Sequence, residues 1–139
     1  MKIENIHLQV LLPVFSLLKI QSCEISTNCF GQHVLMCSGF KLGKICIDDF
    51  GNIKGNIENI HFFTRTNSFG EIDIFVDNKR IYYQEDCFGA CVLSFNNNHI
   101  FFKKTSFGNY TGYLNRTKFS TKKDLIGRES IEFYESYSS

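Results

Sequence analysis

The residues of this 139-residue chain that could carry chemistry are six cysteines, four histidines and fourteen acids. Cys87 and Cys91 lie four residues apart, but a zinc site usually combines two close ligand pairs, and the sequence has no second pair. His61 and His99 occupy equivalent turn positions of two repeats described below, which would place both on one rim. Buried thiols and solvent-facing turn histidines explain these residues, so we expect no metal site and no cofactor.

Other catalytic arrangements also lack a local signature. Asp49-Phe50-Gly51 spells the magnesium-binding tripeptide of protein kinases, but the glycine-rich loop, strand lysine and catalytic loop of a kinase are absent. A nucleophilic triad needs a Ser or Cys, a His and a carboxylate in contact, and no G-x-S-x-G elbow marks one. Two carboxylate pairs are interpreted as solvated turn acids: Asp48-Asp49 and Glu85-Asp86. We therefore expect a protein that is not an enzyme.

Charges are segregated along the chain, although the net charge is only +1. An acidic zone could bind a basic protein partner, and its predicted binding residues are Glu71, Asp73, Asp77, Glu85 and Asp86. A basic zone interleaves cations with aromatic residues, a pattern that could follow a phosphate backbone. Its members are Lys103, Lys104, Arg116, Lys118, Lys122 and Lys123. Because the composition shows no wider basic surface, the acidic zone is the preferred binding site.

A recurring Phe-Gly pair defines the elements that must position these residues. It occurs at Phe30-Gly31, Phe50-Gly51, Phe69-Gly70, Phe88-Gly89 and Phe107-Gly108, and one further step reaches Ile126-Gly127. The spacing is 20 residues once and 19 thereafter. A fixed period of this length is typical of a repeated supersecondary unit.

Each repeat predicts one β-hairpin. Counted from Phe as zero, positions +3, +5 and +7 are mainly apolar and alternate with polar residues, as in a half-buried strand. Positions +8 to +11 are turn-like, and an apolar residue returns at +12. A four-residue loop would set +7 opposite +12 and +5 opposite +14, pairing Leu93 with Phe102. We expect Gly at +1 to supply a positive φ, the residue before Phe to bond the turn, and Phe to fall back onto the core.

The predicted fold class is all-β, with residues 1–139 in a single domain. Hairpin repeats over 30–133 form an antiparallel meander, and twist and unpaired edges favour a curved sheet or an up-and-down barrel. A β-solenoid is the alternative. Residues 1–29 form an N-terminal apolar segment, in which we favour strands over a helix, and 134–139 form a frayed tail. Pro13 fits the first turn of a helix or the edge of a strand, not a central strand.

Cysteine use and the N-terminal segment bear on localisation. The apolar run from Leu8 to Ile20 is interrupted by Pro13, lacks a cleavage site and is too short to span a bilayer. The cysteines do not recur with the repeat, as a pattern of disulfide staples would. We therefore expect a reduced, cytoplasmic protein without membrane contact, and the sequence does not indicate its oligomeric state.

These observations predict a non-enzymatic protein-binding module, and most specifically an immunity or antitoxin-like protein that neutralises a toxin by direct binding. A small β domain without a catalytic constellation, carrying opposed charge zones, suits electrostatic pairing with one protein. One alternative is a β-barrel that binds a small apolar ligand among the +3, +5 and +7 residues, with Gly55 and Gly112 making room. The second alternative is a nucleic-acid-binding module that uses residues 103–128.

Overall fold

The computed structural model describes residues 3–18, 22–27, 32–37 and 39–134. Within these residues one helix, α1 (Asn5–Leu18), precedes twelve strands. The strands are β1 (Ser22–Thr27), β2 (His33–Cys37), β3 (Phe40–Ile47), β4 (Ile53–Ile57), β5 (Ile60–Thr66), β6 (Ile72–Val76), β7 (Lys79–Glu85), β8 (Cys91–Phe95), β9 (Asn98–Lys104), β10 (Tyr110–Leu114), β11 (Thr117–Lys123) and β12 (Glu129–Tyr134). Each strand pairs antiparallel with its sequence neighbours, and β1 pairs with β12. The predicted all-β meander is therefore confirmed as a closed barrel, and the solenoid alternative is wrong.

Two kinds of turn alternate along the chain and gather at opposite ends of the barrel. The hairpin tips 58–59, 77–78, 96–97 and 115–116 each contain an asparagine, and their end is named the asparagine rim. The longer turns 48–52, 67–71, 86–90, 105–109 and 124–128 form the other end, named the aromatic rim. The turn that contains Phe30-Gly31 and residues 135–139 of the predicted tail lie outside the described residues, whereas Tyr134, the first residue of that predicted tail, is the last residue of β12.

The hairpin register differs from the predicted register by two residues. Leu93 pairs with Ile100 rather than with Phe102, which pairs with Cys91, and the neighbouring hairpin shows the same shift. The four-residue loop is wrong because residues 96–97 both adopt a left-handed backbone, with φ of 48° and 66°. They close a two-residue turn whose twist matches that of the strands. Since the shift is even, every side chain stays on its predicted face.

The N-terminal segment contains a helix in the barrel interior, so the preference for strands was wrong for Asn5–Leu18, whereas Ser22–Thr27 of the same segment do form a strand, β1. Nine consecutive residues of α1, 7–15, are buried, as expected for an apolar helix enclosed by protein on all sides. A helix satisfies its backbone hydrogen bonds internally, whereas a strand in the interior would have no neighbouring strand to pair with. Pro13 lies inside the helix, where it deprives the carbonyl of Gln9 of its helical donor.

The helix begins at the aromatic rim and ends towards the asparagine rim. Near its start, the Gln9 side-chain nitrogen lies 3.4 Å from the carboxylate of Glu85, at the aromatic-rim end of β7. Near its other end, Phe15 packs edge-to-face on Phe133, with ring centroids 5.9 Å apart, at the asparagine-rim end of β12. The helix therefore spans the length of the barrel core.

The interior side chains of helix and strands form one hydrophobic core, and the glycines predicted to make room for a ligand lie on strands that line it. Gly55 and Gly112 pair with Phe62 and Phe119 on the neighbouring strands. A Cβ atom at Gly112 would lie 1.9 Å from the carbonyl oxygen of Phe101. These glycines therefore permit the close approach of backbone and aromatic rings, which already occupy the adjacent space.

Candidate docking rim

Four of the five described turns of the aromatic rim share one hydrogen-bonding scheme, and in the fifth, 105–109, the hydroxyl of Thr105 accepts only from the N–H of Phe107, over 3.3 Å. In turn 86–90, Oδ1 of Asp86 accepts from the backbone N–H groups of Phe88 and Ala90, each over 2.9 Å. The N–H of Gly89 donates to the carbonyl of Asp86, and Gly89 has a φ of 83°, as predicted for this position. The same side-chain acceptor role is played by Asp48, Asn67 and Asp124. The turn is thus bonded by the residue two before Phe, not by the residue directly before it as predicted.

The phenylalanines at the turn tips point into solvent. Their exposed fractions are 88% for Phe50, 86% for Phe69, 90% for Phe88 and 95% for Phe107. The prediction that Phe falls back onto the core is wrong, because the barrel interior beneath the rim is already occupied by α1. The 19-residue period identified these phenylalanines in the sequence, but the prediction gave them a role in packing on the core rather than in surface contact.

The described tips are evenly spaced around one end of the barrel. Successive tips are two strands apart, which is about 10 Å at the usual strand spacing. The turn 124–128 contributes two exposed aliphatic side chains, Leu125 and Ile126, in place of one ring. The rim thus presents separate apolar side chains around a polar centre, an arrangement that can contact a macromolecular surface.

Charge changes sign across the aromatic rim. An acidic arc extends over the turns 48–52, 67–71 and 86–90, and it consists of Asp48, Asp49, Glu71, Glu85 and Asp86. A basic arc extends over the turns 105–109 and 124–128 and the strand ends beside them, and it consists of Lys103, Lys104, Lys122, Lys123 and Arg128. The basic arc also contains two acids, Asp124 and the buried Glu129. The three acidic turns contain no Lys or Arg, although Lys54 and Arg65 lie near the strand ends beside them.

The predicted acidic binding residues do not share one surface. Three of them belong to the acidic arc of the aromatic rim: Glu71, Glu85 and Asp86. Asp77 lies in a turn of the asparagine rim, with φ of 52°. Asp73 lies on the outer wall in β6, where Arg80 donates to its carboxylate over 2.8 Å and Arg65 lies 4.0 Å away. These two guanidinium groups leave only 10% of the Asp73 side chain exposed.

The predicted basic patch is divided between the two ends of the barrel. Four of its members lie at the ends of β9 and β11 beside the aromatic rim: Lys103, Lys104, Lys122 and Lys123. Arg116 and Lys118 lie at the asparagine rim. Lys122 is also paired, because its Nζ lies 2.8 Å from a carboxylate oxygen of Glu132, and this hydrogen bond raises the pKa of Lys122. The six cations therefore form two surfaces rather than one.

The histidines and cysteines that the structure describes are dispersed over the helix, the strands and one turn. His61 and His99 lie in strands rather than in turns, in β5 and β9. Three strands lie between these two, so four inter-strand spacings separate the histidines by roughly 20 Å along the barrel wall. In the part of the chain that the structure describes, no three His, Cys, Asp or Glu side chains are grouped to hold a metal ion. Burial raises the pKa of the Cys23 and Cys91 thiols to about 12, which keeps both protonated.

The barrel mouth inside the aromatic rim is polar and anchors the start of α1. The backbone N–H of Glu4 donates to Nδ1 of His7 over 2.9 Å, and Gln9 donates to the side chain of Asn5. Burial lowers the pKa of His7, so its Nδ1 stays unprotonated and accepts this bond. Burial together with the nearby charge of Glu4 raises the pKa of Tyr110. The polar groups at the mouth therefore hold the helix in place.

Comparison of the chain with protein-family models, with curated proteins and with solved structures found no match. Across residues 3–18, 22–27, 32–37 and 39–134, no helix has both the length and the apolar character needed to cross a bilayer. The functional inference therefore depends on the geometry of the aromatic rim.

Proposed function

We propose that this protein is a non-enzymatic binding module that docks on a protein partner through its aromatic rim. The observation that carries the proposal is the recurrence of an exposed phenylalanine at the same position of four successive turns. These rings are nearly fully exposed in the isolated chain, so they contribute little hydrophobic stabilisation until a partner covers them.

The turn itself does not require an aromatic residue. It needs a side-chain acceptor at its first position and a glycine with positive φ at its fourth. The second position varies freely, with Asp49, Ser68, Cys87, Ser106 and Leu125. The third position is Phe in four of the five described turns and Ile126 in the fifth, and its side chain neither closes the turn nor enters the core. A contact outside the chain is the role that accounts for this side chain.

A protein surface suits the rim better than a polyanion does. Phenylalanine supplies a large contact area at a small cost in conformational entropy, and aromatic residues are enriched at protein interfaces. The rim also carries both signs of charge, so a uniformly anionic surface would be repelled by its acidic arc. A partner with both signs of charge would be oriented by the two arcs.

An immunity or antitoxin-like function is a specific form of this proposal and stays a prediction. It requires that a different chain, the toxin, occupies the rim with a basic surface against the acidic arc. The cytoplasmic, reduced location also stays a prediction. Identifying the protein that the rim binds tests both predictions.

The test compares exposed aromatic residues on and off the rim. The rim variant combines F50S, F69S, F88S and F107S, and the control variant combines F40S and Y82S, whose side chains are 75% and 70% exposed away from the rim. Circular dichroism and thermal melting establish that both variants are folded. Tagged proteins are then used to capture partners from the source cells, and binding of each purified partner, or of the chain to itself, is measured by titration calorimetry.

We expect the rim variant to bind at least about 100-fold more weakly than the unchanged protein, since single central aromatic residues often contribute 2 kcal/mol or more. The control should bind within about twofold of it. Equal binding by the rim variant would overturn the proposal, as would rim-dependent binding to phosphatidylcholine–phosphatidylserine vesicles without any protein partner.

A further inference from the structure

We infer that the partner at the aromatic rim is a second copy of this chain, docked rim to rim across a two-fold axis. The inference rests on the proposed function, because it names the occupant of the same surface. Three features of the rim carry it: the arrangement of the two charged arcs, the spacing of the tips and the apolar area that the tips expose.

The charged arcs make the rim complementary to itself. The acidic arc has four acids on three successive turns and Glu85 at the strand end beside them, and the basic arc follows it with Arg128 on a turn and four lysines at strand ends. Lys122 and Arg128 already pair with Glu132 and Glu24 of the same chain, so Lys103, Lys104 and Lys123 are the cations of this arc without such an ion pair among the described residues. A two-fold axis in the plane of the rim and between the arcs rotates the acidic arc of one copy over the basic arc of the other. Both ionic contacts then form at once, because a two-fold interface repeats every contact. A partner with a single sign of charge would match one arc and be repelled by the other.

The spacing of the tips allows the two rims to interlock. Neighbouring tips are about 10 Å apart, which leaves a gap that accepts one aromatic side chain from the opposite copy. The axis that aligns the arcs places Phe69, in the middle acidic turn, between Phe107 and Ile126 of the second copy. Glu71, beside Phe69, then faces the cations at the ends of β9 and β11 of that copy.

The exposed aromatic area is sufficient for a stable dimer. Four phenylalanine side chains that bury roughly 200 Å² each supply about 800 Å² per copy, which is the size of one side of a standard protein interface. The exposed side chains of Leu125 and Ile126 add to this area. A head-to-head dimer would therefore cover the apolar groups that the single chain leaves in water.

A charge-reversal experiment tests this arrangement directly. The first variant, D49K/E71K, reverses two positions of the acidic arc whose side chains accept none of the hydrogen bonds that close these turns, since the side-chain acceptors there are Asp48 and Asn67. The second, K103E/K104E, reverses two positions of the basic arc. The control, K79E/K118E, changes two exposed lysines near the asparagine rim. Molar mass is measured by sedimentation velocity in a phosphine reductant, because Cys87 lies exposed in the rim and could otherwise form an intermolecular disulfide.

We expect the unchanged protein and the control to be dimeric, and each arc variant alone to dimerise at least about tenfold more weakly. An equimolar mixture of the two arc variants should restore a dimer, because the reversed arcs again face opposite charges. The combined F50S, F69S, F88S and F107S variant should be monomeric.

Three results would overturn the inference. They are a monomeric unchanged protein at millimolar concentration, a dimer that survives in the rim variant, and a mixture of arc variants that stays monomeric. If the unchanged protein is monomeric but the rim variant loses a different protein partner, the second-copy inference fails and the proposed function stands. If the unchanged protein is monomeric and the rim variant loses no partner, both fail.

Discussion

The two ends of the barrel reverse the chain by different means, and their side chains differ accordingly. At the asparagine rim, the turn 96–97 contains only residues that its backbone favours, since asparagine tolerates the left-handed region. At the aromatic rim, Asp86 accepts the backbone N–H bonds of the turn and Gly89 supplies its positive φ, yet the turn also carries an exposed Phe88. The comparison shows that a residue can recur with a folding motif without contributing to the fold.

The same contrast appears at the two ends of α1. At the aromatic rim the helix is held by polar bonds, such as that from the N–H of Glu4 to His7. Towards the asparagine rim it is held by apolar packing of Phe15 on Phe133. Stability should therefore depend most on the apolar end of the helix, and the exposed phenylalanines of the aromatic rim should be changeable with little effect on folding.

The largest expected effect is on the apolar end of the helix. Phe15 is fully buried, so F15A removes its transfer free energy and leaves a cavity, and we expect the free energy of unfolding to fall by about 3–5 kcal/mol. Urea unfolding followed by circular dichroism under reducing conditions measures it. The control is F40A, at an exposed position near the asparagine rim, which should change the free energy by less than about 0.5 kcal/mol. A loss below about 1 kcal/mol in F15A would contradict the enclosed position of α1.

The next effect compares one turn from each rim. D86A removes an acceptor of two backbone N–H groups, and by analogy with helix caps we expect a loss of about 0.5–2 kcal/mol. N97G keeps the left-handed backbone accessible, so the free energy of unfolding should change by only a few tenths of a kcal/mol. Both are measured by the same urea unfolding. Equal losses of stability in D86A and N97G would contradict this contrast, in which a side-chain acceptor closes the turn at the aromatic rim and the left-handed backbone closes the turn at the asparagine rim.

The barrel was predictable because its signals are local and repeated. The 19-residue period and the alternation at +3, +5 and +7 determine which side of each strand meets the core. The polarity of +8 to +11 did not determine the register, since these positions are polar whether the loop has two or four residues. The positive φ values at Asp77 and Asn78 distinguish the two cases. Asn and Asp pairs were the sequence signal for the shorter turn.

The helix and the exposed rings depend on the environment that the whole chain creates. The run from Leu8 to Leu18 has no clear period, and only enclosure by a closed barrel, where a strand would lack partners, makes it a helix. Phe50 and the other tip residues are apolar, which favours burial, but the interior beneath them is occupied by α1. The candidate rim was thus visible in the sequence as a period, while its exposure was not.

A smaller effect concerns pH at the polar end of the helix. Burial lowers the folded-state pKa of His7 below its ordinary value of 6.5, and burial lowers that of His33 in the same direction. Folding therefore favours the neutral imidazole. The contribution of the histidine to the free energy of unfolding is fully present above pH 6.5 and is lost as the pH falls below 6.5 through the folded-state pKa. For one histidine the slope cannot exceed about 1.4 kcal/mol per pH unit.

Urea unfolding at several pH values between 7.5 and 5.5 measures this dependence. H7Q keeps a side-chain acceptor for the N–H of Glu4 but removes the titration, so its stability should vary less with pH than that of the unchanged protein. An identical pH dependence in both proteins would exclude His7 as its source.

The smallest expected effect on folding comes from the aromatic rim. Phe88 is 90% exposed, so F88A should change the free energy of unfolding of the monomer by less than about 0.5 kcal/mol. The measurement should be made at a low protein concentration, because a second copy that binds only the folded chain would increase the apparent free energy of unfolding as the concentration rises. F15A provides the matched comparison, since the same substitution is made inside the barrel. A loss above about 1 kcal/mol in monomeric F88A would mean that the ring contributes to the fold, and the main reason for assigning the rim to partner binding would disappear.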